Sequence, residues 1–275
     1  MINGQLTDQI SVTDRGFQYG DGCFETIRVQ NSLPVLLAPH LSRLTTSCEL
    51  LGIDLDKPLL MSEIEQMLSS CDFSDAVLKI TITRGSGGRG YKPAAHCKAT
   101  RVVQLFEYST DGLLHNESGV EVFLCRHRLS SNRDLMAMKH LNRLDQVMAS
   151  REIPPGIAEG LCLSQQGYLI EGCKSNIVLV KENMLLTPDL TESGVKGIML
   201  SHLLNRFRQD EMPVKTTQIS LDDLKSADEV FLCNSVFGVC PVIKLSGDDT
   251  VLFWSKGSVT RRAIQYTNEA FSAAS

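Results

Sequence analysis

The sequence predicts a mixed α/β (α+β) protein with a break near residue 113, and three observations lead there. Strand-like and helix-like patterns alternate along the whole chain. A polar stretch, residues 109–118, interrupts them with Asp111-Gly112 and Asn116, the composition of a linker. The 275 residues are 43% hydrophobic and 21% charged, a balance that lets a chain of this length bury a real core. The expected division is a smaller α/β domain over residues 1–112 and a larger domain over 113–275.

Taken in order, strands are expected at residues 25–30 and 32–37, with Asn31 at the turn between them. Pro39 suits the first turn of a helix that carries Leu41, Leu44, Cys48 and Leu51 at helical spacing, with Gly52 as its stop. A second helix is expected over 60–69, with Leu60, Ile64, Met67 and Leu68 on one face. Residues 77–83 and 101–106 alternate and are rich in β-branched side chains, so they read as strands. Beyond the linker come a strand at 120–125 and a helix over 139–151. Strands at 160–164 and 168–171 follow about a Gln166-Gly167 turn, and a hairpin of 175–181 with 184–187 about Glu182-Asn183. An amphipathic helix spans 197–208, Ser220 with Asp223 forms a capping box, residues 229–233 are a strand, and a last helix starts near Ser258.

Composition excludes several function classes. A net charge of −5 gives no electrostatic reason to expect nucleic acid or an anionic membrane as partner. No apolar run approaches the roughly 20 residues that span a bilayer, and Met1-Ile2-Asn3-Gly4-Gln5 lacks the basic-then-apolar pattern of a signal peptide. The nine cysteines are odd in number, form no CxxC pair and sit partly inside apolar runs. They read as reduced, mostly buried thiols of a cytoplasmic protein.

Gly85, Gly87 and Gly90 match G-x-G-x-x-G after a strand, yet Tyr91-Lys92-Pro93 follows where a dinucleotide fingerprint needs a helix. The segment reads instead as a turn carrying Arg84 and Arg89, either a plain surface hairpin or a loop that grips carboxylates. The histidines and cysteines show no metal-ligand spacing, and neither a nucleophile elbow nor a Walker loop is present. Lys139 follows Leu135-Met136-Ala137-Met138. Desolvation there disfavours its ammonium form and would free the amine for Schiff-base chemistry; the plain alternative is a lysine that snorkels to solvent. Glu171 at a strand end, Arg43 on the first helix and the helix start at 194–199, whose amides could hold a phosphate, each have equally ordinary readings on their own.

Together and in order these segments resemble the fold-type IV pyridoxal-phosphate enzymes, the class IV aminotransferases. The matching pieces are Asp14-Arg15-Gly16-Phe17-Gln18-Tyr19-Gly20-Asp21-Gly22, His40-Leu41-Ser42-Arg43-Leu44, the run from Arg84 to Tyr91, and Lys139-His140-Leu141-Asn142. They continue with Glu171-Gly172-Cys173-Lys174-Ser175-Asn176, Thr187-Pro188, the run from Gly194 to Met199, and Asp228-Glu229-Val230-Phe231-Leu232-Cys233-Asn234-Ser235. The resemblance implies a small N-terminal α/β domain and a larger C-terminal pyridoxal-phosphate domain with a barrel-like sheet. It gives Lys139 the covalent bond to the cofactor and the proton transfers, and Glu171 the pyridine nitrogen. Arg43, Ser235 and the amides of Ile198 and Met199 would take the phosphate, and Asn142 would lie near the ring. Arg89, Tyr91, Arg84 and Phe24 would face the substrate, with Arg89 and Tyr91 reaching the neighbouring subunit's site in a homodimer. Within the family the chain is most similar to the lyases of folate biosynthesis that make 4-aminobenzoate from 4-amino-4-deoxychorismate. Phe24 stands where related transaminases carry tyrosine. Glu25 stands where such lyases often carry threonine, which keeps a D-amino-acid or branched-chain aminotransferase as the alternative. A non-catalytic binding protein on the same scaffold is the third reading.

Overall fold

The computed structural model describes residues 1–70, 74–109, 118–247 and 250–273. The chain separates into two compact units. One takes Met1–Tyr108, Met138–Asn142 and Phe271–Ser275, the other Ser109–Ala137 and Arg143–Ala270. The expected break near residue 113 lies outside the described residues.

The first unit opens with a short helix, α1 (Arg15–Tyr19), whose Asp14 cap accepts from the Gly16 amide. Its sheet runs β2-β1-β3-β4, all antiparallel, from β1 (Gly22–Gln30), β2 (Leu33–Pro34), β3 (Ala76–Thr83) and β4 (Thr100–Glu107). The strand expected at 32–37 shrinks to two residues, because Leu36 adopts a left-handed φ of 51° and turns the chain into a helix. That helix, α2 (Leu37–Leu51), ends at Gly52 in the left-handed conformation, as its sequence predicts. The next, α3 (Lys57–Ser69), begins three residues earlier than its apolar pattern suggests, because Asp56 caps it and Pro58 fits its first turn. Alternation puts Cys23, Glu25, Ile27 and Val29 of β1 on one face, opposite Ile82, Ile80, Leu78 and Ala76 of β3. Leu44, Cys48, Leu60 and Ile64 of the two helices share the core with that face.

The second unit is built on a curled sheet in the order β10-β9-β8-β11-β12-β5-β6-β7, with β13 beside β12. The strands are β5 (Val120–Leu129), β6 (Glu159–Ser164), β7 (Leu169–Gly172), β8 (Asn176–Lys181), β9 (Met184–Pro188), β10 (Val214–Thr217), β11 (Glu229–Asn234), β12 (Gly238–Ser246) and β13 (Val251–Phe253). The β8–β9 turn places Glu182 and Asn183 both at positive φ, 50° and 59°, the geometry a two-residue hairpin needs. Helices α4 (Leu144–Ser150), α5 (Ile198–Gln209), α6 (Leu221–Lys225) and α7 (Ser258–Ser272) accompany this sheet, and Ser220 and Asp223 form the expected capping box on α6. The core is a continuous apolar cluster that includes Leu161, Leu163, Ile177, Leu179, Val230 and Leu232.

The helix expected over 139–151 is corrected. Only Leu144–Ser150 is helical, and residues 139–141 lie outside the helix, with His140 bridged to Cys23. The reason is pairing: the Phe24 amide donates to the Lys139 carbonyl at 2.9 Å, and the Leu141 amide to the Gly22 carbonyl at 3.0 Å. A segment that satisfies its backbone on the edge of β1 has no use for a helical turn.

Candidate active site

Within the first unit, the register that aligns Cys23 with His140 sets Lys139 across from Phe24. The two side chains share a sheet face, and the Lys139 ammonium lies 4.3 Å from the Phe24 ring centroid. An amine over the negative face of an aromatic ring is attracted there, so Phe24 positions the lysine. Asn142 donates from Nδ2 to the Gly20 carbonyl at 3.1 Å. Gly20 is left-handed, and a Cβ on it would come within 2.6 Å of Asn142 Oδ1, so Asn142 and Gly20 lock together the end of α1 and the Lys139 segment.

On the opposite face of β1, Glu25 is 1% exposed beneath α2. His40 and Arg43, three residues apart on that helix, both reach it. Arg43 meets the carboxylate with its fork, Nε to Oε1 at 2.7 Å and Nη2 to Oε2 at 2.6 Å, and His40 Nδ1 lies 2.6 Å from Oε2. Burial pushes the Glu25 carboxyl up, but the hydrogen bonds and charges of Arg43 and His40 prevail and hold it below the ordinary carboxylate range. Burial pushes the His40 imidazole down.

The glycine-rich run after β3 is a loop framed by buried charge. Arg15, 3% exposed, donates from Nε to Asp21 at 2.9 Å, from Nη1 to the Gly90 carbonyl at 3.0 Å and from Nη2 to the Tyr91 carbonyl at 2.7 Å. Arg84 donates from Nε and Nη2 to the same Asp21 carboxylate, and from Nη1 and Nη2 to the carbonyls of Gly52 and Leu51. The Arg84 guanidinium is thereby spent on the loop's frame, whereas Arg89 in the same loop is exposed. Tyr91 is 88% exposed, with its ring edge-on to Tyr19 at 5.6 Å. Gly85 is obligatory: its φ is 79°, and a Cβ would fall 1.9 Å from the Lys98 carbonyl oxygen.

The second unit carries the remaining residues. Glu171 on β7 is 4% exposed; its Oε2 accepts from the Val195 amide at 2.8 Å, and its Oε1 accepts from Gln146 Nε2 at 3.3 Å. The Arg143 guanidinium adds a favourable charge near it. Glu171 is thus a buried carboxylate fixed in orientation. Ile198 and Met199 are the first two residues of α5, capped by Gly197. A Cβ at Gly197 would meet Asn176 Oδ1 at 1.9 Å, while Asn176 donates to the Val195 carbonyl at 2.8 Å. The helix start is therefore tied to β8, with first-turn amides that lack intrahelical acceptors and favour an anion. Ser235 follows β11 in a turn where Asn234 Oδ1 accepts from the amides of Val236 and Phe237.

Sequence reasoning missed the Arg15–Asp21 frame, the partnership of Glu25 and His40 with Arg43, and the Val195 amide on Glu171. Only the Asp14–Gly22 motif hinted at the first.

These parts define a class: residues 22–245 match the profile of the amino-transferase class IV family, and the chain belongs to that family. Two similar proteins carry the same enzyme name. Aminodeoxychorismate lyase of Vibrio harveyi is 33% identical, covering 95% of this chain and 96% of its own. The crystal structure of 4-amino-4-deoxychorismate lyase from Pseudomonas aeruginosa superimposes with a TM-score of 0.92 at 38% identity, covering 98% of each chain. D-alanine aminotransferase of Bacillus licheniformis is 26% identical over 95% of this chain and 93% of its own.

Proposed function

We propose that the protein is a pyridoxal-phosphate-dependent lyase that converts 4-amino-4-deoxychorismate to 4-aminobenzoate and pyruvate, a step of folate biosynthesis. The carrying observation is full-length likeness to two such lyases, at 33% and 38% identity, against 30% for a putative branched-chain-amino-acid aminotransferase and 26% for a D-alanine aminotransferase.

The residues present suit the cofactor. Lys139 offers an amine set against an aromatic ring, Glu171 a buried carboxylate fixed by an amide, and Ile198 with Met199 the anion-binding start of a helix that only a glycine cap allows. Arg43, Ser235 and the two α5 amides would hold the phosphate, and Lys139 would bond the aldehyde carbon. The bound cofactor supplies an electron-poor ring that accepts the electron pair left on the substrate carbon bearing nitrogen. Glu171 would present its carboxylate to the pyridine nitrogen and so favour the protonated ring. Lys139 Nζ takes the proton from the nitrogen-bearing ring carbon. It is also the group placed to return a proton as the carbon–oxygen bond breaks and the enolpyruvyl group leaves as pyruvate. The products together contain every atom of the substrate, so no acceptor is consumed, and aromatisation of the ring drives the elimination.

Arg89 is the cation for a substrate carboxylate, with Tyr91 beside it and Phe24 lining the lysine. A homodimer in which this loop serves the neighbouring site fits the exposure of Leu6, Val12, Phe17 and Tyr91 in the first unit. No helix among the described residues is long and apolar enough to cross a membrane, and the described cysteines are free thiols, which suits a cytoplasmic enzyme.

The test is coupled detection of pyruvate and 4-aminobenzoate from aminodeoxychorismate without any keto acid, with D-alanine and L-leucine tried in parallel. Equal yields of the two products are expected. Faster turnover of D-alanine or L-leucine with a keto-acid acceptor would assign the aminotransferase reading instead.

A further inference from the structure

We infer that Cys125, Cys162 and Cys173 form a binding site for one soft, thiophilic cation with a filled d shell, of the Cu+, Zn2+ and Cd2+ type. The three residues come from neighbouring strands: Cys125 from β5, Cys162 from β6, and Cys173 from the residue that follows β7. Their sulfurs all lie within 4.8 Å of one another, and Cys162 Sγ and Cys173 Sγ are 3.8 Å apart. Three thiolates each about 2.3 Å from a common ion stand roughly 3.8–4.0 Å from one another. The sulfurs therefore need to converge by no more than about 1 Å to share one cation.

Two further observations point to a built site. Gly160 faces the cluster, and a Cβ there would lie 2.6 Å from Cys125 Sγ and 3.1 Å from Cys173 Sγ. Glycine is what leaves the sulfurs room to meet. The side chains packed round it are apolar, from Phe123, Leu129, Ala149, Ile153, Ile170 and Leu190, and the Ala149 carbonyl accepts from Cys125 Sγ at 3.5 Å, so sulfur dominates the donor set and a soft ion is favoured over a hard one. Cys125 and Cys162 are buried, whereas Cys173 is partly exposed and gives access from solvent. The ligands bind as thiolates, so thiol protons leave as the ion enters.

The probe is Cd2+, titrated into the reduced, cofactor-loaded full chain under anaerobic conditions and followed by the ultraviolet thiolate-to-cadmium absorption. About one equivalent should bind, and C162S or C173S should reduce bound cadmium below about a tenth of an equivalent. C173S alters a partly exposed thiol and serves where C162S fails to fold. C48S should leave binding intact, because Cys23 and Cys48, 3.6 Å apart in the other unit, supply only two sulfurs. Cadmium uptake that survives C173S, or no uptake by fully reduced protein, would overturn the site. Peroxide-driven formation of a Cys162–Cys173 disulfide in protein that takes up no cadmium would also overturn it. The readout needs no turnover, so it stands or falls apart from the proposed reaction.

Discussion

Glu25→Gln perturbs one buried carboxylate that orients two neighbours on α2. Glu25 is 1% exposed and accepts from Arg43 at 2.7 and 2.6 Å, with His40 at 2.6 Å. Removing one partner of a buried ion pair costs about 3–5 kcal/mol. Glutamine keeps the shape and one acceptor oxygen, so a loss of about 2–3 kcal/mol is expected, or roughly 5–10 °C in melting temperature. The pH dependence fixes the cause. The folded carboxyl sits below its ordinary 4.5, so its stabilisation is present above that value and fades as pH falls through the lower folded one. The gap between parent and variant should be full at neutral pH and close below about 4.5. Thermal unfolding by circular dichroism across that range measures it, and fluorescence titration with pyridoxal phosphate should show affinity weakened by about tenfold. A variant within about 0.5 kcal/mol of the parent, or a gap independent of pH, would refute the reasoning.

Three other outcomes follow from the same geometry. Arg89→Ala should raise KM for aminodeoxychorismate by about 30- to 150-fold, the equivalent of a 2–3 kcal/mol charge-assisted contact, with cofactor affinity unchanged in a binding titration. Arg15→Met releases the carbonyls of Gly90 and Tyr91. Steady-state kinetics should then show KM raised by about tenfold with kcat changed less. Glu159 is buried and its carboxyl is pushed up to about 7. Its neutral form is the one the fold prefers, so stability is full below the unfolded value of about 4.5 and declines as pH rises through 7. Glu159→Gln should flatten that decline in urea unfolding at pH 5 and pH 8, leaving the variant the more stable of the two at pH 8.

The fold was legible wherever period and punctuation agreed. Gly52 stops α2, Glu182-Asn183 turns the β8–β9 hairpin, and the Ser220–Asp223 box starts α6, each because the residue has a backbone preference that no distant contact overrides. Three features were hidden in the sequence for physical reasons. The five residues of α1 are too few to show a period. The sequence of β12 contains Pro241, which argues against a central strand even though that strand lies between β11 and β5. Residues 139–141 carry apolar neighbours at helical spacing, but their backbone pairs with β1, a long-range choice that local pattern cannot encode. The family was legible from motifs in order, and the match over residues 22–245 bears it out. The job of Arg84 was not, because its acceptors Asp21, Leu51 and Gly52 come from distant parts of the chain.

Borohydride reduction of the cofactor-loaded protein, followed by peptide mapping, tests most directly that Lys139 holds the cofactor. The account predicts the phosphopyridoxyl label on the peptide containing Lys139, and its absence from Lys139→Ala protein that is folded by circular dichroism. Label on any other lysine of the parent protein would contradict it.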